Sequence, residues 1–354
     1  MATGSQAVES VRASIETAEG AATAPTRLLY VPQGSVSVQH KVEQSRGVYA
    51  WAKFDATHDI YPEIQDLTLV IDNINGTYQD IGFWLSGIAR AGSAVPSTVD
   101  TSAYSRTVTP VQTSSVVATD IDSFNIEWSS TDFAGTRVWK MPGMVIEDLT
   151  INMRKRASGT DTGVTFSLRF RSASKPTFGT AFTSSLSDRA QTLILGQQFA
   201  AFVDSTASGL GSTADGNIIE STFHFAVPAV FHDGAIASDA HTSMHRPSPW
   251  TSELSIVRKF SDLTEYTAYV GTSFVKTLRA IRLQFEGAIV GGVDAKNTFR
   301  LDFVGKHREM SDSPVRRDGL WYQSFDLDGV YDATVLASFK LFTQNSVSAS
   351  YRSA

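Results

Sequence analysis

Apolar and polar positions alternate with period two through much of the chain, and one such arrangement occurs twice. Leu149, Ile151 and Met153 alternate with Thr150, Asn152 and Arg154; after a polar turn, Phe166, Leu168 and Phe170 alternate with Thr165, Ser167 and Arg169. Successive side chains of a strand point to opposite faces, so this spacing predicts two half-buried strands joined as a hairpin across residues 145–171. The pattern returns with Ile281, Leu283 and Phe285 around Arg282, Gln284 and Glu286, then Phe299, Leu301 and Phe303 around Arg300 and Asp302. Leu149 to Ile281 is 132 residues and Phe166 to Phe299 is 133, so the hairpin recurs with a one-residue change in its loop. The two hairpins are expected to be equivalent parts of two like-folded modules.

The same periodicity predicts further strands at 35–42, 48–54, 66–71, 124–128, 218–227, around 230, and at 253–260, 319–326 and 333–342. Two stretches change period. Ile81, Trp84, Leu85 and Ile88 fall on one face of a helix within 78–89, with Gly92 as a stop. Gly82 and Gly87 weaken that helix by about 1 kcal/mol each, so it needs a sheet to lie on. Residues 262–270 repeat the signature, with Leu263, Tyr266, Thr267 and Val270 on one face, Asp262 to cap it and Gly271 to end it. Residues 193–203 fit either period. Pro142-Gly143, just before the first hairpin, reads as a turn.

Residues 91–117 are rich in Ser, Thr and Val with two prolines, which predicts a long loop or exposed arm. A second Ser/Thr/Gly stretch at 172–189 marks a division. The expected organisation is an N-terminal arm (1–26) without fold-forming pattern, a first β module (27–185) carrying the 91–117 insertion, and a second β module (186–354). The fold class is mainly β: two tandem β-sandwich or half-barrel modules, each with a short packing helix.

Charge and composition narrow the function. The 354 residues carry 30 basic and 36 acidic side chains, a formal net charge of -6, which argues against a sequence-reading nucleic-acid binder. There is no cysteine, so thiol chemistry and Cys-based zinc sites are excluded. No apolar run approaches the roughly 20 residues of a membrane helix, and the first 20 residues lack the apolar core of a signal peptide.

Candidate chemistry is sparse. His241 and His245 are spaced for a metal on a helix, but the stretch has no helical periodicity and reads as a solvated loop. Asp326, Asp328 and Asp332 begin like a calcium loop without its closing acid, and Asp328-Gly329 reads as a hairpin turn. The glycines of residues 208–216 (SGLGSTADG) do not link a strand to a helix, so a phosphate cradle is not expected. Asn75-Gly76-Thr77 reads as a turn. No catalytic residue, metal site or cofactor is nominated, and the chain is not expected to be an enzyme. Arg154, Lys155 and Arg156 form the densest basic run, at a hairpin tip shared with Asp161. They are either a solvated tip or a contact point for an acidic neighbour or passing DNA.

Residues 11–32 read VRASIETAEGAATAPTRLLYVP, a short strand followed by an E-T-x-x-G-x-x-x-x-P segment. With the helix at 81–92, the strand YSRTVTP at 104–110, and Pro142-Gly143 followed by VIEDLTI, this series resembles the tail tube proteins of long-tailed bacteriophages. The resemblance implies two fused tube modules per chain, so that trimers present six modules around a ring and rings stack into a hollow tube. It implies a location in the virion after assembly in the host cytoplasm. It also implies other tail proteins as partners (tape measure, tail terminator, tail tip), with DNA as passing cargo that is not specifically bound and no membrane anchor. Residues 1–24 and the tip at 154–163, with its contact candidates Arg154, Lys155, Arg156 and Asp161, are then expected to be ordered mainly by neighbouring subunits.

Tube proteins of this family tend to line the channel with negative charge. Here Arg154, Arg169 and Arg171 face no acid within the first hairpin, whereas Arg282 and Arg300 face Glu286 and Asp302 in the second. Arg169, Arg171, Arg282 and Arg300 are therefore expected to be paired with carboxylates or turned to interfaces. The alternatives are a jelly-roll-like capsid or decoration protein, and a tail-tip β module that binds carbohydrate or cells.

Overall fold

The computed structural model describes residues 8–348, apart from 17–22, 33, 44–63, 89–95, 101, 111–121, 130–136, 157–160, 187–190, 234–240, 246–249, 272–275, 293, 311–313, 318 and 336. The first half runs β1 (Val8–Ile15), β2 (Arg27–Pro32), β3 (Val36–Glu43), β4 (Ile64–Asn75), α1 (Ile81–Leu85, continued by a 3-10 turn at Ser86–Ile88), β5 (Ser97–Asp100), β6 (Ala103–Val108), β7 (Phe124–Ser129), β8 (Val138–Arg154), β9 (Val164–Ser172) and β10 (Thr177–Gly179). The second half runs β11 (Phe199–Asp204), β12 (Ile218–Ala226), β13 (Val230–Asp233), β14 (His241–His245), β15 (Thr251–Lys259), α2 (Thr264–Val270), β16 (Leu278–Ile289), β17 (Lys296–Met310), β18 (Val315–Arg317), β19 (Leu320–Gly329) and β20 (Phe339–Asn345). The fold is mainly β, and every strand pairing among the described strands is antiparallel.

Both anticipated hairpins form. In β8–β9, Leu149 faces Leu168 and Ile151 faces Phe166; in β16–β17, Ile281 faces Phe303, Leu283 faces Leu301 and Phe285 faces Phe299. These residues, with Met153 and Phe170, are all buried. The equivalence stops at the strand pair. In the first hairpin the earlier strand, β4, lies beside β9 and the later strand, β12, beside β8. In the second, the earlier strand, β11, lies beside β16 and the later one, β20, beside β17. The order of the chain around the hairpin is reversed.

β8 and β17 hold the sheets together. One edge of β8 pairs with β9 and then β10, while its other edge is divided between β12 and β7. One edge of β17 pairs with β16, while the other is divided between β20 and β19. Each changes partners where a glycine sits. Gly143 has φ +67, a region that residues with a Cβ rarely enter, and its N–H donates to Glu16 Oε1 at 3.0 Å. At Gly305 a Cβ would stand 2.6 Å from the Asp328 carbonyl oxygen, too close for any side chain. Pro142-Gly143 is thus a bend within one strand and does not reverse the chain, contrary to the turn expected from sequence. Proline tolerates such an irregular position because it has no ladder N–H to lose.

Two sheets face one another across the core. One runs β3-β4-β9-β8-β12-β15-β19, and the other β11-β16-β17-β20-β6-β5. Phe223 of β12 lies 4.8 Å from Phe339 of β20 and 6.3 Å from Phe303 of β17, between strands that share no ladder. Strands from both halves of the chain build both sheets. The β8–β12 ladder runs from Arg154↔Glu220 to Asp148↔Ala226, across the chain position where the sequence suggests a division.

The described part of the 91–117 segment, residues 96–100 and 102–110, differs from the expected exposed arm. β5 and β6 form a hairpin, β6 pairs with β20, and Ala103, Arg106 and Val108 are buried. A Thr- and Val-rich segment suits a half-buried pleated surface as well as it suits a loop. The N-terminal arm also contains structure. Val11, Ala13 and Ile15 are buried on β1, which lies between β2 and β7. That segment is held within its own chain and needs no neighbour to order it; residues 1–7, 17–22 and the candidate strand at 48–54 lie outside the described residues.

Helix α1 is as expected, but buried on every side. Phe83, Trp84, Phe124 and Phe170 form a ring cluster with centroids 5.1 to 5.9 Å apart. A Cβ on Gly87 would stand 2.4 Å from Phe124, so the glycine that weakens the helix is what lets it dock.

Because Phe223 joins the two sheets, Phe223→Ala is expected to remove about 3–5 kcal/mol of stability. Chemical denaturation followed by far-UV circular dichroism measures this; a loss under about 1 kcal/mol would place the contact outside the core.

Candidate subunit-interface surfaces

The polar faces of the two hairpins carry the arginines singled out by the sequence, and all four have carboxylate neighbours. Arg171 Nε lies 2.9 Å from Asp66 Oδ1 and its Nη1 3.4 Å from Glu147 Oε1. Arg169 Nε lies 3.8 Å from Glu147 Oε2, and Arg282 Nε 2.7 Å from Asp302 Oδ1. Arg300 Nε is 3.2 Å from Asp302 Oδ2, close in charge but not aligned as a hydrogen bond, and its guanidinium lies 4.6 Å from the Phe342 ring centroid. For the first hairpin the acids come from β4 and from Glu147, beside a register shift in β8. Glu147 belongs to the hairpin itself, contrary to the expectation that Arg169 and Arg171 face no acid there; the register shift turns it toward them, and only Asp66 comes from an outside strand.

At the tip of the first hairpin, Arg154, Lys155, Arg156 and Asp161 are exposed. Their backbone is tied within the chain. The N–H groups of Arg154, Lys155 and Arg156 donate to the carbonyls of Gly163, Ile219 and Gly196, and Gly196 N–H donates to the Asp161 carbonyl. Arg154 Nε meets Glu220 Oε1 at 2.7 Å, and the Lys155 ammonium donates to Gly216 O at 3.2 Å. The feet of the tip therefore do not depend on another subunit for order, unlike the expectation for 154–163; residues 157–160 lie outside the described residues. The tip presents its basic side chains on a base tied within the chain.

The β8–β12 ladder carries three side-chain links on its polar face: Arg154–Glu220, Thr222 Oγ1 donating to Asn152 Oδ1 at 2.9 Å, and His224 Nε2 to Asp148 Oδ2 at 2.8 Å. The hydrogen bond to Asp148 raises the His224 pKa above its ordinary value of 6.5; burial opposes this, and the Asp148 and Glu253 charges add to it.

α2 is present, but its apolar stripe faces outward. Leu263, Tyr266 and Val270 are 61%, 50% and 46% exposed, while Glu265 and Ala268 are buried. The cause is electrostatic. Arg279 Nε of β16 donates to Glu265 Oε2 at 3.0 Å, and His307 Nε2 of β17 lies 3.3 Å from the same oxygen without an aligned hydrogen bond. Burial alone would raise the Glu265 pKa, but His307 and Arg279 outweigh it and hold the carboxyl below its ordinary value. The Lys276 ammonium sits 5.0 Å from the Tyr269 ring centroid. The N-cap is Leu263, not the expected Asp262, and it makes no side-chain cap bond. Asp262, one residue earlier, accepts from the Thr264 N–H at 2.9 Å, and this bond, with hydrogen bonds from the Thr264 and Ser261 side chains and the Arg258 charge, takes its pKa down to about 2. Gly271, at φ +69, ends the helix.

The remaining sequence candidates find ordinary places. The amides of Gly211, Ser212 and Thr213 all donate to the Asp204 carboxylate, so the glycine-rich loop is closed on an anion of its own chain. His241–His245 is a strand paired with β13, not a loop, and i,i+4 residues on a strand lie about 13 Å apart. Asp326 and Asp328 lie within β19, where both meet Arg308, so Asp328-Gly329 is not the turn expected. Among the described residues no group of three His, Asp or Glu side chains is placed to share a metal, and no helix is long and apolar enough to cross a membrane. Compared with known proteins, the chain matches no family model and has no significant match among curated proteins.

A raised folded-state pKa means that the His224–Asp148 link contributes fully below about pH 6.5 and is lost as pH rises through the raised value. Because the pair is partly exposed, its contribution should be at most about 1 kcal/mol. Titration of His224 by NMR is expected to give a midpoint above 6.5 that falls in Asp148→Asn. An unchanged midpoint in that variant would show that Asp148 is not the cause.

Proposed function

We propose that this chain is a structural virion protein, the tail tube subunit of a long-tailed bacteriophage, and not an enzyme. In this reading trimers form pseudo-hexameric rings, and the rings stack into the hollow conduit through which DNA passes. Tape measure, tail terminator and tail-tip proteins are its partners, and the two long hairpins β8–β9 and β16–β17, one from each half of the chain, supply the six repeats of each ring.

The observation that carries this reading is an open sheet built around two long hairpins. Among the described residues β3 pairs only with β4, and β5 only with β6, so the two-sheet body does not close on itself. Open edges invite pairing with other chains, and a ring of copies removes them. Charge supports the same reading. A net charge of -6 on every subunit makes an assembly polyanionic, and each hairpin arginine has a carboxylate neighbour, although Arg282 and Arg300 share Asp302.

Negative-stain images of the purified protein are expected to show annuli or hollow rods. Icosahedral shells would favour the capsid alternative, and uniform monomers the tail-tip binding module. In fluorescence-anisotropy titrations with duplex DNA at physiological salt, no appreciable binding is expected. Tight binding that weakens steeply with added salt would overturn the passive conduit, because each phosphate neutralised by Lys or Arg releases counterions.

A further inference from the structure

The outward face of the second hairpin carries more cations than acids. Leu283, Leu301, Phe303 and Leu341 point into the core, so Arg282, Arg300, Asp302, Lys340 and Phe342 alternate with them onto the opposite face. Asp302 is the one acid of these five, and Arg282 takes both of its oxygens. Nε of Arg282 donates to Oδ1 at 2.7 Å and Nη2 to Oδ2 at 3.2 Å. The glycine-rich loop closes over the same guanidinium, where a Cβ at Gly211 would collide with Nη1. Glu286, further along β16, is held by the Lys296 ammonium at 3.0 Å and by the Gln284 amide. Asp204, at the end of β11, is closed by the amides of its own loop. On the far side of β20, β6 sets only Thr107 and Ser105 opposite Phe342 and Gln344.

Three cations thus surround one acid that is already engaged. Arg300 Nε lies 3.2 Å from Asp302 Oδ2, yet among the described residues no group accepts a hydrogen bond from any N–H donor of Arg300, and Nε is buried. The guanidinium is held over the Phe342 ring, 4.6 Å from its centroid. Burial pulls its pKa below the ordinary value; Asp302 offsets this and the Arg282 charge adds to it. Lys340 is opposite Asp302 in the β17–β20 register but makes no ion pair among the described residues. It stands diagonal to Arg300, roughly 7–8 Å away, which is within reach of a shared ligand for two long side chains.

We propose that Arg300 and Lys340 form a binding site for a doubly charged phosphate, free or as a monoester, on the outward face of β17 and β20. A guanidinium whose donors are all unused presents a fork that fits two oxygens of one phosphate, and a lysine adds a point charge beside it. A phosphate monoester carries about -1.5 to -2 at pH 7, which matches the two cations left over by Asp302. Two cations do not make the run of backbone contacts that holds a duplex at physiological salt, so the site is compatible with a chain that lets DNA pass. It lies within one chain and does not depend on the tube reading.

Calorimetric titration of the purified protein with sodium phosphate, at an ionic strength fixed by sodium chloride, tests the site. One saturable site per chain with a Kd of about 1 mM or tighter is expected. Arg300→Gln should weaken binding about tenfold or more, and Lys340→Gln about threefold or more. Thermal midpoints report whether each variant is folded, and Lys340→Gln, at a half-buried side chain without a partner, carries the test if Arg300→Gln is not. Arg154→Gln/Lys155→Gln/Arg156→Gln removes three charges elsewhere and should bind phosphate like wild type. Phosphoserine in place of phosphate separates the sources: equal or weaker affinity assigns the site to the free ion, and tighter affinity to a phosphorylated side chain. No saturable binding to wild type, unchanged binding in either folded site variant, or an equal loss in the triple variant would overturn the proposal. The presence or absence of rods and annuli bears on none of these readings.

Discussion

Two strands, β8 and β17, each hydrogen-bond to more than one sheet, and the rest of the fold depends on their bends. A straight strand presents two edges to two neighbours. β17 keeps one partner along one edge and divides the other between two strands near Gly305, whereas β8 changes partners on both edges around Gly143. Glycine is needed at both places for different reasons: a left-handed backbone at Gly143, and a carbonyl 2.6 Å from the absent Cβ at Gly305. Around these bends the aromatic core closes, with Phe223 against Phe303 and Phe339, and Phe83 and Trp84 against Phe124.

The polar surface follows from the same arrangement. Bringing β9 and β12 alongside β8, and β4 alongside β9, sets Asp66, Glu147 and Glu220 against Arg171, Arg169 and Arg154. In the second hairpin Asp302 alone serves both Arg282 and Arg300. Such partly exposed pairs contribute little stability one by one. Their consequence is electrostatic: the basic side chains are offset one for one on the first hairpin and in part on the second, and the negative net charge sets the long-range field.

What was legible in the sequence was whatever one segment settles by itself. The buried faces of the hairpins followed from strict alternation over Leu149–Met153 and Ile281–Phe285, and α1 from four residues on one helical face. Partner choice was not legible, because it depends on residues far along the chain. The orientation of α2 shows this most clearly. Its strongest periodic signal belongs to the stripe that faces out, since Glu265 is captured by Arg279, 14 residues away, and by His307 on a later strand. A helix of two turns has little apolar area with which to oppose a buried ion pair. Among the contact candidates, the exposure of Arg154, Lys155 and Arg156 was readable, whereas the ties from their backbone to Gly196 and Ile219 were not.

The interleaving of the halves also bears on how the molecule comes into being. β6 is made early, yet its ladder partner β20 is nearly the last strand to be synthesised, and the Arg106 guanidinium donates to Val347 O, 241 residues later. Contacts so distant in sequence are slow to form, because a long loop must close before they give anything back. While the ribosome is still adding the second half, β8 has no β12 beside it, and β6 and α1 have no β20 to rest on. The nascent chain therefore spends its synthesis with open strand edges and part of its aromatic surface uncovered. Such intermediates pair readily with the wrong neighbour when many copies are made at once.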